Sequence, residues 1–537
     1  MFTLFTDLSR RRRGDFVLQL ENENISRRNF LKRLAGMLIA LFLFFLSDAI
    51  GQEQPPNVIL ISIDSLRADH LGCYGYPKPT SPNIDALANE SVVFTNAIST
   101  TTWTLPAHIS MLTSLYPEVH QVINDGNKLS DKAVVCAEIM KEAGYLTAGF
   151  VSGPYLSSKF GYNQGFDLYD DYTINYSSNE ESHRGITSPK IHQQVTKWLE
   201  QNYRSPFFLF IHYWDVHYDY VPPPPFDTMF DPDYTGIITG QDYERNELIN
   251  PQMPERDLEH IIALYDGEIA FTDSYIGKLM TYLKKLDIYE NTMVILTSDH
   301  GDEFFEHGCK GHRNNLFDET LKVPLIIKFP SEKKNPIFAS LSPHEVSTER
   351  SEQAPIKPVV LSEQVSIVDI GPTFIDYLSI TPNSNLDGQS LLPLVAGNIQ
   401  TGTEVPTNFK PYKFADLHGF MKCVRTNQFK YIHIAQAEDV RKKETRIFSL
   451  HRLFDKIRES QDMKAEEIEK TLLFNLQDDP IECHNLAMSN PEIKIEMHQI
   501  LMNWLNKSKI LAENIGKSDF EYDENLKKKL RDLGYIQ

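Results

Sequence analysis

Two kinds of reactive group stand out along the chain, a hydroxyl-rich turn and a set of acids and histidines. The turn is STTTWTLPAHISMLTSLYP, Ser99–Pro117, with a proline and His108 ahead of an apolar helix expected over Ile109–Leu115. Thr104 stands just before that helix. A hydroxyl there lies in the positive field of the helix N-terminus, and a bound anion meets backbone N–H groups with no helical partner. Ser and Thr are also the preferred helix caps, so the turn alone fits a nucleophile or a cap.

The acids and histidines come at the ends of apolar runs. Asp64 follows NVILISI; His212, Asp215 and His217 close PFFLFIHYW and its continuation; NTMVILTS delivers Asp299, His300, Gly301, Asp302 and Glu303, with His307 and His312 further on. Carboxylate and imidazole together suit Zn, Mn or a similar ion, whereas oxygen-rich sets suit Ca or Mg. Asp64 and Asp299 are the leading metal ligands, with His300. Asp215 and His217 read as functional, and His212 as packing.

The elements that must position these groups follow from the same runs. Asn57–Ile63 is a continuous β-branched run, the pattern of a buried parallel strand, and 144–151, 206–214 and 291–298 read as further strands. Helical patterns lie between them: 81–90, 132–143, 191–202 and the long 258–286. This alternation predicts an α/β fold, a large, mostly parallel central sheet flanked by helices, with a smaller C-terminal α+β subdomain. Ligands in such sheets bind at the carboxyl ends of strands, which is where Asp64, Asp215 and Asp299 fall. Polar, Pro/Gly-punctuated loops at 170–190 and 221–256 are expected to shape the mouth of the site.

Composition sets the limits. The chain has 537 residues, 41% of them hydrophobic, so it has the means for a large core and more than one domain. Its net charge of −20 argues against non-specific nucleic-acid binding. Five cysteines without CxxC spacing suggest neither a disulfide framework nor a zinc ribbon. Residues 1–51 read as an export signal: SRRNFLK precedes the apolar run 34–46, too short for the roughly 20 residues that cross a bilayer. The motif resembles a twin-arginine signal, which implies a periplasmic or extracellular protein, with membrane attachment only if the signal stays uncleaved. The expected layout is a catalytic domain at 55–400, an antiparallel-sheet subdomain at 405–490 and a helical tail at 491–537. The charged stretch 438–469 reads as solvated helix.

In order, the blocks resemble the sulfatase family of the alkaline phosphatase superfamily. NVILISIDSLRADHLGCYGY is similar to the first metal-binding strand, and TLPAHISMLTSLYP stands in place of the Cys/Ser-x-Pro-Ser-Arg signature. FFLFIHYWDVHYDY, LYDGEIAFTDSYIG, TSDHGDEFFEHGCKGH and LFDETLKVPLIIKFP continue the series, and MKCVRTNQFKYI and LRDLGYI resemble later blocks. The resemblance implies a divalent metal (Ca, Mg, Mn or Zn) held by Asp64, Thr104, Asp299 and His300. It also places Asp215, His217 and His312 as ligands of a second metal or as donors to the anion. His108 occupies the position of the signature arginine, His312 that of a lysine, and Ser65 that of the second residue of an Asp-Asp pair. Where sulfatases mature Cys or Ser to formylglycine, this chain has Thr104, whose β-methyl prevents that aldehyde; no formylglycine is expected.

The expected activity is attack by Thr104 on sulfur or phosphorus, with Thr104, His108, His217 and His312 as catalytic residues. The substrate is an anionic ester: a sulfated or phosphorylated glycan, lipid or small molecule. Threonine is also the nucleophile in superfamily relatives acting on phosphodiesters and phosphonates, so a phosphodiesterase, phosphonate hydrolase or phosphotransferase stands as the alternative. A non-catalytic anion- or glycan-binding protein is the third reading. The sequence leaves the oligomeric state open.

Overall fold

All seven residues of strand β1, Asn57–Ile63, are buried. Their side chains alternate between two cores: Val58 and Leu60 enter one, Ile59, Ile61 and Ile63 the other. A strand covered by helices on both faces has this pattern. The computed structural model describes residues 54–171, 186–331, 358–401, 409–435 and 471–519, with 524 and 527. The signal-like segment 1–51, most of the excursion at 170–190, the charged stretch 438–469 and most of the tail beyond 519 lie outside the described residues.

Among the described residues the main sheet has nine strands. After β1 come β2 (Val92–Ile98), β3 (Leu146–Phe150), β4 (Leu168–Asp170), β5 (Phe207–Tyr213), β6 (Thr292–Thr297), β7 (Lys322–Lys328), β8 (Val359–Leu361) and β9 (Val365–Ser366). Their spatial order is β8-β2-β7-β6-β1-β5-β3-β4, with β9 also on β2. Only β7 runs antiparallel to its neighbours β2 and β6; the other pairings are parallel. The expected α/β architecture is therefore present, as a mostly parallel mixed sheet.

Register decides what meets at the sheet's edge. Ser62 of β1 lies opposite His212 of β5 and Thr297 of β6. The residues that follow these three strands, starting with Asp64, Trp214 and Ser298, thus leave the sheet side by side. The helices include α1 (Pro82–Asn89), α2 (Thr104–Thr113), α3 (Cys136–Glu142), α4 (Ser188–Asn202), α5 (Glu255–Lys285), α6 (Ile370–Tyr377) and α7 (Pro491–Ile515). One boundary differs from expectation. The helix after the hydroxyl-rich turn begins at Thr104 itself, not at Ile109. Pro106 sits in its first turn, where a missing N–H removes no helical bond.

A separate antiparallel sheet, β10 (Lys413–Leu417), β11 (Met421–Arg425), β12 (Phe429–Ile434) and β13 (Thr471–Asn475), lies towards the C-terminus. It is joined to the main body by buried ions. Lys413 pairs with Asp369 at 2.7 Å, and Lys430 bridges Asp318 and Glu482 at 2.9 and 2.8 Å. The Asp416 N–H bonds Thr100 O at 2.9 Å, so β10 also braces the turn that leads to Thr104. No two cysteines are joined, and no described helix is long and apolar enough to cross a membrane.

His307 belongs to this joint. It stacks on Phe317 with ring centroids 3.6 Å apart and meets Glu319 at 2.8 Å. Burial opposes its protonation, but the bonded Glu319 carboxylate, with Glu482 and Glu303 behind it, outweighs burial and lifts its pKa to about 9. A histidine raised in the fold contributes stability that is complete below its unfolded value and fades as pH rises through the folded one. His307→Gln is expected to cost about 2–3 kcal/mol below pH ~6.5, a difference that shrinks between pH ~7 and ~9. Denaturant titrations of both proteins across that range measure it.

Candidate active site

Thr104 is the first residue of α2, after Trp103 in extended conformation, and its side chain is buried among acids and histidines. The helix places it at the sheet edge where β1 and β6 end. Thr104 Oγ1 lies 3.3 Å from His300 Nε2 and also bonds Asp64. The Nδ1–H of His300 donates to Gly301 O at 3.1 Å, which puts the ring's lone pair on Nε2, facing Thr104.

Asp64, Asp299 and His300 bring three donor atoms within 4.8 Å of one another. Ser65 fastens both acids: its hydroxyl donates to Asp64 Oδ1 at 3.0 Å and its N–H to Asp299 Oδ1 at 3.2 Å. To do this Ser65 adopts a left-handed φ of 56°, held by the Tyr265 hydroxyl on Ser65 O at 2.8 Å. Ser65 thus has a definite role where the family pair has its second aspartate. Sequence reasoning saw only the substitution.

A second group shares His300. Asp302 Oδ1 takes His312 Nδ1 at 2.6 Å, its Oδ2 accepts from Tyr220 at 2.5 Å, and His300, Asp302 and His312 form another set of close donors. The His312 and His300 rings are 4.3 Å apart, and His217 stands 5.1 Å from His312. The Nδ1–H of His217 donates to Tyr218 O at 2.5 Å. Asp302 was visible in the run DHGDE, two residues past His300, but nothing in the sequence showed that it would orient His312.

Three other residues fall differently from expectation. His108 is fully buried behind the turn, its Nδ1 on Thr104 O at 3.0 Å and its Nε2 on Ser62 Oγ at 2.9 Å. That arrangement holds the first turn of α2 and leaves Nδ1 3.5 Å from Asp299 Oδ2. Asp215 turns to α4, accepting from the N–H and hydroxyl of Thr187 at 2.6 and 2.9 Å and from Ser188 N–H. A carboxylate at a helix N-terminus stabilises that end, which accounts for an acid after β5. His212, read as packing, instead lies 3.4 Å from Asp64 Oδ2 and 4.8 Å from the His108 ring.

Electrostatics marks the place as unusual. Burial, with the charge of Asp302, pushes Asp64 up to about 8. Burial and the Asp64 charge hold Asp299 well above the carboxylate range. Burial and the neighbouring His312 keep His300 well below the imidazole range, and burial alone takes His212 down to about 3. Adjacent buried acids with neutral imidazoles are costly unless a cation offsets them. Asp299 Oδ2 is buried and accepts no hydrogen bond, as expected of a ligand oxygen. The donors fit a divalent ion.

A sequence model described as Sulfatase matches residues 56–380. The chain belongs to the sulfatase family. It is a hydrolase of the sulfuric ester class in the alkaline phosphatase superfamily. Among curated relatives it is similar to arylsulfatase K of Mus musculus, 24% identical over 86% of this chain and 81% of that protein. It is also similar to an ulvan-active sulfatase of Formosa agariphila, 24% identical over 71% and 73%. Among solved structures, a phosphonate monoester hydrolase of Agrobacterium radiobacter superimposes with a TM-score of 0.61 at 20% identity, covering 88% of this chain and 98% of that one. A protein in complex with its substrate D-glucosamine-2-N,6-O-disulfate does so with a TM-score of 0.61 at 18% identity, covering 86% and 99%. At these identities the structural likeness speaks to the fold, which is alkaline phosphatase-like.

The buried acids make a prediction for the cation-free chain. An acid raised from 3.8 to about 8 keeps its proton in the fold and sheds it when unfolded, so that chain loses stability as pH rises from about 4 towards 8. Asp64→Asn in chelator is expected to melt above the parent at pH 8. Added Mn or Zn should raise the parent's melting temperature and leave that of the variant unmoved.

Proposed function

We propose that this chain is an exported, metal-dependent hydrolase of sulfate or related phosphate esters in which Thr104 is the nucleophile. The observation that carries the reading is the position of Thr104 Oγ1. It sits on the first turn of α2, bonded to Asp64 and 3.3 Å from His300 Nε2, inside the set that suits a cation. A divalent ion held by Asp64, Asp299 and His300 would lower the pKa of the hydroxyl and neutralise charge on the anion. Export rests on the basic and apolar start of the chain at 26–46.

The chain's own groups divide the remaining work. Thr104 Oγ1 forms the new bond to sulfur or phosphorus as the bond to the alcohol oxygen breaks on the opposite side. Charge grows on the equatorial oxygens, towards which the backbone N–H groups of the first turn of α2 contribute their dipole. His217 and His312, packed edge to face beside His300, are the groups to donate hydrogen bonds or a proton to the departing oxygen. Asp302 keeps His312 oriented, and His108 holds the Thr104 backbone. Water then cleaves the threonine ester and restores the hydroxyl.

One observation favours acids of phosphorus as the second reading. The positions of the family's arginine and lysine hold His108 and His312, and His108 is turned to Thr104 O and Ser62. The fixed positive charge of those side chains is absent, and His300, Asp302 and His312 would suit a second cation that makes up for it.

Kinetics on an aryl sulfate, a phosphate diester and a phosphonate, with metal supplied, decide between these readings. A preference of orders of magnitude for sulfate is expected; the reverse preference establishes the phosphorus reading, and no turnover of any ester establishes a binding protein. Thr104→Ala is expected to lower kcat by at least about 10³-fold, with Thr104→Ser partly active. Full turnover in Thr104→Ala removes the nucleophile assignment.

A further inference from the structure

Glu244 is exposed on the loop between β5 and α5, and no step above uses it. Its place is firmly built. Asp219 accepts from the N–H groups of Asp242 and Tyr243 at 2.8 and 2.9 Å. The Lys310 ammonium donates to the carbonyls of Tyr243, Asn246 and Ile249 at 2.6, 3.2 and 2.9 Å. These bonds fasten residues 242–249 to the short strand Lys310–Gly311, next to His312.

Gly311 makes the room. Its φ is +71°, and a Cβ there would fall 2.4 Å from Glu244 Oε1 and 3.3 Å from Tyr218 Cε1. The carboxylate of Glu244 therefore fills the space a side chain at 311 would take. From there a short series of rings leads inward. Tyr218 lies 5.2 Å from His312, and His312 lies 4.3 Å from His300, which faces Thr104.

Burial of the carboxylate and the neighbouring Asp302 and Asp219 push Glu244 up to about 7, against the pull of Lys310 and Arg313; in its charged form a carboxylate beside the site for an anionic ester repels the acid half of the substrate. The charge is favourable only towards a part of the substrate that donates hydrogen bonds or carries positive charge. We propose that Glu244 reads the alcohol half of the ester, accepting hydrogen bonds from hydroxyl or ammonium groups near the ester oxygen and rejecting alcohols with a second anion there. The proposal rests on the ester-hydrolase reading of the Thr104 site and names its substrate class: esters of polyhydroxylated or amino alcohols with a single anionic group.

The test compares kcat/KM on three sulfates, or their phosphate analogues if phosphorus is the preferred centre: 4-nitrophenyl sulfate, glucosamine 6-sulfate and D-glucosamine-2-N,6-O-disulfate. The parent should prefer the monosulfated amino sugar to the disulfate. Glu244→Gln should shrink that preference about tenfold, chiefly through KM, and should shift the amino sugar relative to the aryl ester. Lys310→Met, which unfastens the loop but keeps Glu244, should reproduce the direction. Equal effects of Glu244→Gln on all three esters, or a preference unchanged from the parent, overturn the role of Glu244 alone. Parent protein inactive on all three, as sulfates and as phosphates, overturns both this role and the reading it rests on.

Discussion

The parallel register of β1 with β5 and β6 is the constraint on which the rest of the site depends. Opposing Ser62 to His212 and Thr297 makes these strands end together. Two carboxylates, Asp64 and Asp299, then leave a mainly apolar sheet and are themselves buried. Such a pair resists ionisation, and the fold answers with short polar bonds: Ser65 to both acids, Tyr265 to Ser65, Ser298 to the Leu66 N–H. Much of what surrounds the site keeps this unfavourable pair in place, as expected where a fold holds charge in readiness for an ion.

The hydroxyl arrives by a different route. β2 runs antiparallel to β7, and β7 antiparallel to β6, so β2 ends at the same edge as β1 and β6. The turn 99–104 carries the chain from there to α2. The Ser99 hydroxyl donates to Asp299 O at 2.5 Å, which fixes the approach of Thr104 to the acids. The hydroxyl-rich turn and the metal-type acids are thus parts of one bonded unit, although Asp299 lies 200 residues from Ser99 in sequence.

Much of this was legible in the residues. β1, β5 and β6 are uninterrupted apolar runs because both their faces are covered, and such runs can be read without a partner. Asp64, Asp299 and His300 follow from the rule that strand ends carry ligands. What could not be read was direction. Asp215 has the same type and the same station as Asp64, yet it turns to the N–H groups of Thr187 and Ser188. His212 looked like core because it lies inside a strand, but its ring faces Asp64. Asp302 and Ser65 matter through bonds to residues distant or adjacent that spacing does not encode. α2 starts earlier than its apolar run because Pro106 is tolerated in a first turn.

The brace between the C-terminal sheet and the turn before Thr104 also sets an order of events in synthesis. Thr100 O waits for Asp416 N–H, and Trp103 for the ring of His418, 5.0 Å away. Asp318 waits for Lys430 and Glu482. These contacts span from about 110 to more than 300 residues, the slow and late class of pairing. A nascent chain that has emerged only as far as β9 holds every acid and histidine of the site, but not the supports of the turn before Thr104. That turn therefore gains its supports only once the C-terminal sheet has formed.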